Sequence, residues 1–197
     1  MDKNLTHLLK PEIYLCKINS PVSDDIFFRL FSILNNEEKE RILKKKSRKN
    51  AELSLIGNLL AKTAIKNCAN IPIKEQKFIL AEHGKPCLDG FCGVHFSISH
   101  SKDYAVCAVF GSPVGIDIEK IRSCPQTLMK KVCSPEELDF LLKSENQDSG
   151  FIKLWSQKEA AIKKSGGCIA LSKLKSCNKE KNINSIKIDG YWLSVCY

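Results

Sequence analysis

The stretch GSPVGIDIEK, residues 111–120, decides how the chain divides. Ser112-Pro113 breaks any regular element, because proline lacks an N–H and forces its neighbour into extended backbone. VGIDIEK, 114–120, then reads as a strand. Val114, Ile116 and Ile118 share one face, and Gly115, Asp117 and Glu119 share the other. Working outward from this point, the same succession of elements is met twice.

Upstream, EIYLCKIN at 12–19 predicts a first strand, and DDIFFRLFSIL at 24–34 a helix striped by Phe27, Leu30, Phe31 and Leu34. Asn36 with two glutamates starts another helix, and AELSLIGNLLAKTAIKN, 51–67, is a long apolar one. FSIS and YAVCAVF are two strands around SHSKD. Downstream, Ser134-Pro135-Glu136-Glu137 carries the signature of a capped helix start. FIKLWSQKEAAIKK, 151–164, is the next helix, and SIKID and YWLSVCY are closing strands joined at Asp189-Gly190. The reading is α+β: a pseudo-twofold pair of similar α+β halves, 1–112 and 113–197.

Composition narrows the class. With 43% hydrophobic and 27% charged residues, the 197-residue chain can build a real core. Its longest apolar run, AVCAVF at 105–110, is far too short to span a bilayer, and the N-terminus shows no continuous apolar segment. A cytoplasmic protein without a membrane partner is expected. The ten cysteines are scattered and form no C-x-x-C, so they read as small buried hydrophobes of a reducing compartment. The four histidines, 7, 83, 95 and 100, show no zinc spacing with them. Net charge is +9, densest in KERILKKKSRK, 39–49. That run is either a solvated lysine-rich helix or a surface for an anionic ligand or acidic partner. It holds no aromatic to stack on bases, which argues against nucleic acid.

Four stretches carry chemistry. Asp117 and Glu119 point into the same space and repel unless a cation sits between them. On spacing alone they are a Mg²⁺-binding couple or the polar face of an edge strand. On a helical wheel about Trp155, Glu159 falls about 40° away, on the margin of the apolar stripe, with Lys163 one turn on. On that evidence Glu159–Lys163 is an ordinary surface pair or an inward carboxylate. His100, in FSISHS, is a cation, a hydrogen-bond donor or a structural residue; no G-x-S-x-G supports a hydrolase. His83-Gly84-Lys85-Pro86 is a turn carrying a basic residue, and the common nucleotide-binding glycine loops are absent.

In this order and at these separations, Gly84-Lys85-Pro86, FSISHS, GIDIEK and WSQKEAAIKKSGG closely resemble the 4′-phosphopantetheinyl transferases of the surfactin-synthetase-activating type. The resemblance covers nearly the whole chain, and GIDIE with the downstream W-x-x-K-E-x-x-x-K is its most specific part. It implies two similar halves with coenzyme A bound in the cleft between them. It also implies transfer of the phosphopantetheine arm to a serine of an acyl or peptidyl carrier protein, with 3′,5′-ADP leaving. By motif position, Asp117, Glu119 and Glu159 would hold Mg²⁺, and Glu159 or a nearby water would take the serine proton. Lys163 and Lys158 would neutralise phosphate charge. Ser99 and His100 would hold the 3′-phosphate end of coenzyme A, with Lys85 and Pro86 on the adenine side.

The surplus of positive charge suits an acidic carrier, and a monomer is expected because the two halves already build the cleft. One departure stands out. The family commonly has a basic residue where this chain has Leu53 and Ser54, so Lys49 or Arg48 is the expected substitute. A magnesium-dependent nuclease needs an acid, one spacer and a lysine, whereas Glu119 is followed directly by Lys120. An inactive binding module would be expected to have lost the acids, and all three are present.

Overall fold

The apolar run YAVCAVF becomes a strand that is covered on both faces. The computed structural model describes residues 5, 8–167, 174–175 and 182–197; His7, Cys168 and Cys177 lie outside them. The first part holds strand β1 (Glu12–Lys17), helices α1 (Asp24–Ser32), α2 (Asn36–Leu43) and α3 (Arg48–Ala69), and a short hairpin of β2 (Phe78–Leu80) and β3 (Pro86–Leu88). Strands β4 (His95–Ser101) and β5 (Tyr104–Phe110) complete it. The second part runs β6 (Gly115–Lys120), α4 (Gln126–Val132), α5 (Pro135–Leu142), α6 (Gln147–Ser165), β7 (Ile183–Ile188) and β8 (Tyr191–Cys196).

Both three-stranded sheets place the last strand of their half in the middle: β1-β5-β4 and β6-β8-β7, antiparallel throughout. Cys107 and Val109 of β5 pack with Ala61, Ala64 and Ile65 of α3. Tyr104, Val106 and Ala108, on the other face, meet Ile116, Ile118, Tyr191, Leu193 and Val195 of the second sheet. Burial on both faces explains why β5 is apolar throughout and does not alternate.

The halves repeat one another in detail. Tyr104 donates its hydroxyl to Asp189 at 2.6 Å, and Tyr191 donates to Asp103 at 3.0 Å. Each tyrosine therefore closes on the turn of the opposite half. Lys17 pairs with Asp189 and Lys49 with Asp103. Asn35 and Ser134 each cap a helix through a box with Glu38 and Glu137, and the Ser134 box is the one the sequence predicts. Each box glutamate takes a buried lysine from the long helix of its half: Lys62 at 3.0 Å and Lys158 at 2.7 Å.

Three local expectations change. The lysine-rich run is not one helix, because α2 ends at Leu43 and Ser47 caps a new one by accepting from Asn50 N–H. The long helix accordingly starts at Arg48, three residues early, and ends at Asn70, whose φ of 53° closes it. Helix α4 and the β2–β3 hairpin carry too few residues for a periodic signal. Among the described residues Cys107, Cys124, Cys133 and Cys196 are buried, while Cys92 is exposed. No helix among them is long and apolar enough to cross a membrane.

Candidate active site

The FSISHS segment forms a seam between the sheets. Strands β4 and β6 lie side by side without a backbone ladder. Ile116 N–H donates to Ser97 Oγ at 3.2 Å, Ile118 N–H to Ser99 Oγ at 3.4 Å, and Lys120 N–H to Ser101 Oγ at 3.4 Å. Alternate serine hydroxyls thus satisfy an edge that would otherwise lack acceptors. Ser99 is buried and donates to Asp117 Oδ1 at 2.8 Å. The Ser99 hydroxyl, expected at the 3′-phosphate of coenzyme A, is here engaged with Asp117 and Lys163.

Helix α6 lies across the other face of β6, because Gly115 lets it approach. A Cβ at 115 would stand 1.9 Å from Ala160 O and 2.5 Å from Lys164 N, on a hydrogen-bonded turn of the helix. This crossing brings Asp117 and Lys163 together at 2.6 Å, with Lys163 also 3.0 Å from Ser99 Oγ and 3.7 Å from Glu159 Oε2. Asp117 is only 1% exposed, so it sits inside the protein and not on an open polar face. Its Oδ2 is buried with no hydrogen-bond partner among the described residues. Trp155 Nε1–H donates to Glu159 Oε1 at 2.8 Å and fixes that carboxyl. Glu119 Oε2 accepts from Arg122 at 3.1 Å and from Ser101 Oγ at 3.4 Å.

The electrostatics follow from burial and crowding. Burial, then repulsion from Asp117, pushes the Glu159 carboxyl from an ordinary 4.5 up to about 7, against the pull of Lys163. Burial and Asp117 likewise raise Glu119, with Arg122 opposing. For Lys163, burial works to lower the ammonium, but Asp117 and Glu159 prevail and raise it. Asp117 acts on both Glu119 and Glu159, so the three carboxylates lie within electrostatic reach of one another. They do not form a closed cage: among the described residues no three His, Cys, Asp or Glu side chains are grouped to hold a metal. Lys163 stands between Asp117 and Glu159 instead. The orphaned Oδ2 and two carboxyls reluctant to ionise make this a donor set that fits an added hard cation.

The raised Glu159 value has a consequence for stability. Between about 4.5 and 7 the folded chain keeps a proton that the unfolded chain has released. The associated stability is full below 4.5 and is lost as pH rises through about 7. Thermal unfolding in the presence of a chelator, from about pH 5 to 8, is expected to show a falling Tm. Glu159→Gln should flatten that slope.

Lys158 is not part of this cluster. It is 4% exposed, and its Nζ donates to Val132 O at 3.0 Å and Glu137 Oε2 at 2.7 Å. It is the counterpart of Lys62 and ties α6 to the cap of α5, so the cation expected to neutralise phosphate is here engaged with Glu137. Its neighbour Glu159 faces the site because adjacent helical residues point about 100° apart. Lys158→Met should cost about 3 kcal/mol by stranding Glu137, measured by chemical denaturation, while folded protein keeps its site.

A cleft of about 460 Å³ opens beside the cluster, lined by Lys49, Asn50 and Leu53 of α3, by His100 and Lys102, and by Glu119 and Arg122. Burial, then the charges of Lys45 and Lys163, lowers the His100 imidazole, so in the free protein it is a neutral hydrogen-bond partner. Arg48 is held elsewhere, by Asp24 at 2.9 Å and Glu52 at 3.1 Å, and stacks on Phe27. Of the two expected substitutes only Lys49 lines the cleft, and Lys45 is a further cation near His100 that the sequence reading missed. Lys120 stands over the Tyr191 ring. Lys85 donates to Val114 O at 3.0 Å and Lys164 O at 3.3 Å, and Pro86 opens β3.

Comparison with known proteins agrees with this arrangement. A family model described as "4′-phosphopantetheinyl transferase, N-terminal" matches residues 20–111, and one described as "4′-phosphopantetheinyl transferase superfamily" matches 113–192. The chain is 31% identical to the 4′-phosphopantetheinyl transferase Sfp of Bacillus subtilis, over 81% of this chain and 72% of the relative. It is 34% identical to the 4′-phosphopantetheinyl transferase Gsp of Aneurinibacillus migulanus, over 79% and 65% of the two chains. The corresponding figures for HetI of Nostoc sp. are 30%, 85% and 73%. With both halves matched in order, the chain belongs to the 4′-phosphopantetheinyl transferase superfamily.

Proposed function

We propose that the protein moves the 4′-phosphopantetheine arm of coenzyme A to a serine hydroxyl of an acyl or peptidyl carrier protein, dependent on Mg²⁺ and releasing 3′,5′-ADP. One observation carries the reading: the Asp117–Lys163–Glu159 cluster lies between the halves, next to a cleft lined by basic side chains. Transfer at phosphorus asks the protein for positioning and for cations near the developing charge.

Asp117, Glu119 and Glu159 would hold the metal. When bound, Mg²⁺ supplies charge neutralisation on the diphosphate. Lys163 places its ammonium where negative charge grows on the leaving group. Glu159, beside the Asp117–Lys163 pair, would accept the serine proton directly or through water. His100 and Lys49, with Lys45 nearby, offer donors to the 3′-phosphate end of coenzyme A. Leu53 gives that end an apolar wall. The carrier is expected to be acidic, given the net charge of +9, so transfer should slow as salt screens the encounter. A single chain supplies both walls of the cleft, which supports a monomeric enzyme.

The test is direct. Protein, coenzyme A, Mg²⁺ and a panel of apo carrier proteins are incubated, and the carriers are weighed by mass spectrometry. A phosphopantetheine adduct on the carrier serine is expected. Folded protein that leaves every carrier unmodified would refute the reading.

A further inference from the structure

Lys85 lies far from the acids in sequence, yet its side chain ends where α6 crosses β6. The turn before it needs Gly84 at a φ of 80°, and Gly84 N–H closes onto Ala81 O at 2.8 Å. That turn aims Lys85 across the boundary between the halves. Its Nζ reaches one carbonyl on each of the two crossing elements: Val114 O just before β6 and Lys164 O in the last turn of α6. Between these carbonyls lies Gly115, whose missing Cβ leaves room for the Ala160–Lys164 turn.

The last carbonyls of a helix lack internal partners and carry negative partial charge. In α6, Gly166 N–H serves Ile162 O and Lys163 O, and Gly167 N–H returns to Ile162 O at 3.0 Å. Lys164 O is served by the ammonium of Lys85, a cation at the negative end of the helix. Asp117 is two residues beyond Gly115, and Lys163 and Glu159 are one and five residues before Lys164. A slip or tilt of the helix at this crossing would therefore move both active-site side chains relative to Asp117.

We infer that Lys85 is a positioning residue for the transfer reaction: it pins the C-terminal end of α6 to the start of β6, and so sets Lys163 and Glu159 against Asp117, instead of contacting the adenine of coenzyme A. Burial lowers the Lys85 ammonium, in keeping with a side chain held among carbonyls and away from solvent. No carboxylate is bonded to it among the described residues, so its two recorded partners are both main-chain oxygens at the crossing.

The kinetic part of the test rests on the proposed transfer activity; the spectroscopic part does not. Wild type, Lys85→Met and Lys85→Arg are compared in steady-state transfer from coenzyme A to a carrier. Lys85→Met is expected to lower kcat about tenfold or more while KM for coenzyme A stays within about twofold, because displaced catalytic groups cost rate. Lys85→Arg, still able to donate to both carbonyls, should recover most of that loss. Independently of turnover, the indole N–H resonance of Trp155, which is bonded to Glu159 in the same part of α6, should move in Lys85→Met. The indole resonance of Trp192, bonded to Ser149 near the start of α6, should stay. Should Lys85→Met fail to fold, Lys85→Gln replaces it in both measurements. A raised KM for coenzyme A at unchanged kcat would overturn the inference in favour of a ligand contact. Unchanged kinetics, or an unmoved Trp155 resonance, would overturn it outright. Absence of transfer by the wild type would sink the proposed function, while the resonance comparison would still decide the role of Lys85.

Discussion

Asp117→Ala is expected to remove carrier modification almost entirely, by about 10³-fold or more in kcat/KM. Asp117 is the hub of the cluster: it takes Lys163 at 2.6 Å and Ser99 at 2.8 Å on one oxygen, and the other has no hydrogen-bond partner among the described residues. In the proposed role, loss of a metal ligand would forfeit several kcal/mol of charge stabilisation, and each 1.4 kcal/mol or so is tenfold in rate. The substitution should also weaken the fold, because Lys163 is then left among buried groups without its nearest carboxylate. Asp117→Asn separates the two effects, since it keeps the shape and an acceptor for Ser99. Its activity should fall nearly as far while its unfolding midpoint falls less. The measurement is adduct formation by mass spectrometry beside denaturant melts. Wild-type turnover in either variant would remove Asp117 from the mechanism.

Gly115→Ala should be the most damaging single methyl in the chain. The new carbon would lie 1.9 Å from Ala160 O, well inside contact distance, and its nearest neighbours are helix backbone that no rotamer change can clear. Either α6 lifts from β6 or β6 shifts from the serine seam. Both movements separate Asp117 from Lys163, and displacement by about 1 Å can cost two orders of magnitude in rate. Overpacking of this kind also costs about 1–3 kcal/mol or more in stability. The expected result is a folded but destabilised protein with transfer reduced by about a hundredfold or more. Normal turnover would mean that the tight crossing does not set the site.

The two halves were legible in the sequence because their strands and helices repeat as patterns, and because Ser134-Pro135-Glu136-Glu137 announces a helix start. The angle of Glu159 to Trp155 put it on the margin of the apolar stripe and left a surface pair and an inward carboxylate both open; only the family resemblance chose between them. What could not be read were features made by contact between distant segments. The serine seam needs β4 beside β6, and nothing in FSISHS alone says that its hydroxyls will bind backbone N–H groups of another sheet. Lys158 shows the same limit. Beside Glu159 in a motif it reads as a second phosphate-facing cation, but a one-residue step turns it toward Val132 and Glu137. The signal that could have exposed it was its twin: Lys62 stands in the same relation to Glu38, in a half that carries no acid cluster. Lys85 likewise reads as a turn lysine until the end of α6 is placed above it.

The crossed tyrosines have a consequence for how such an enzyme can be cut or joined. Tyr104 finds its acceptor on Asp189 and Tyr191 finds its own on Asp103, so neither segment can complete these bonds by itself. Each fragment would also leave an apolar sheet face bare to water. The linking peptide near Pro113 merely keeps the pair at high local concentration. Two separately expressed pieces should stay insoluble apart and reassemble when mixed, and the same reciprocal handclasp would suit a ring of two identical ancestral subunits.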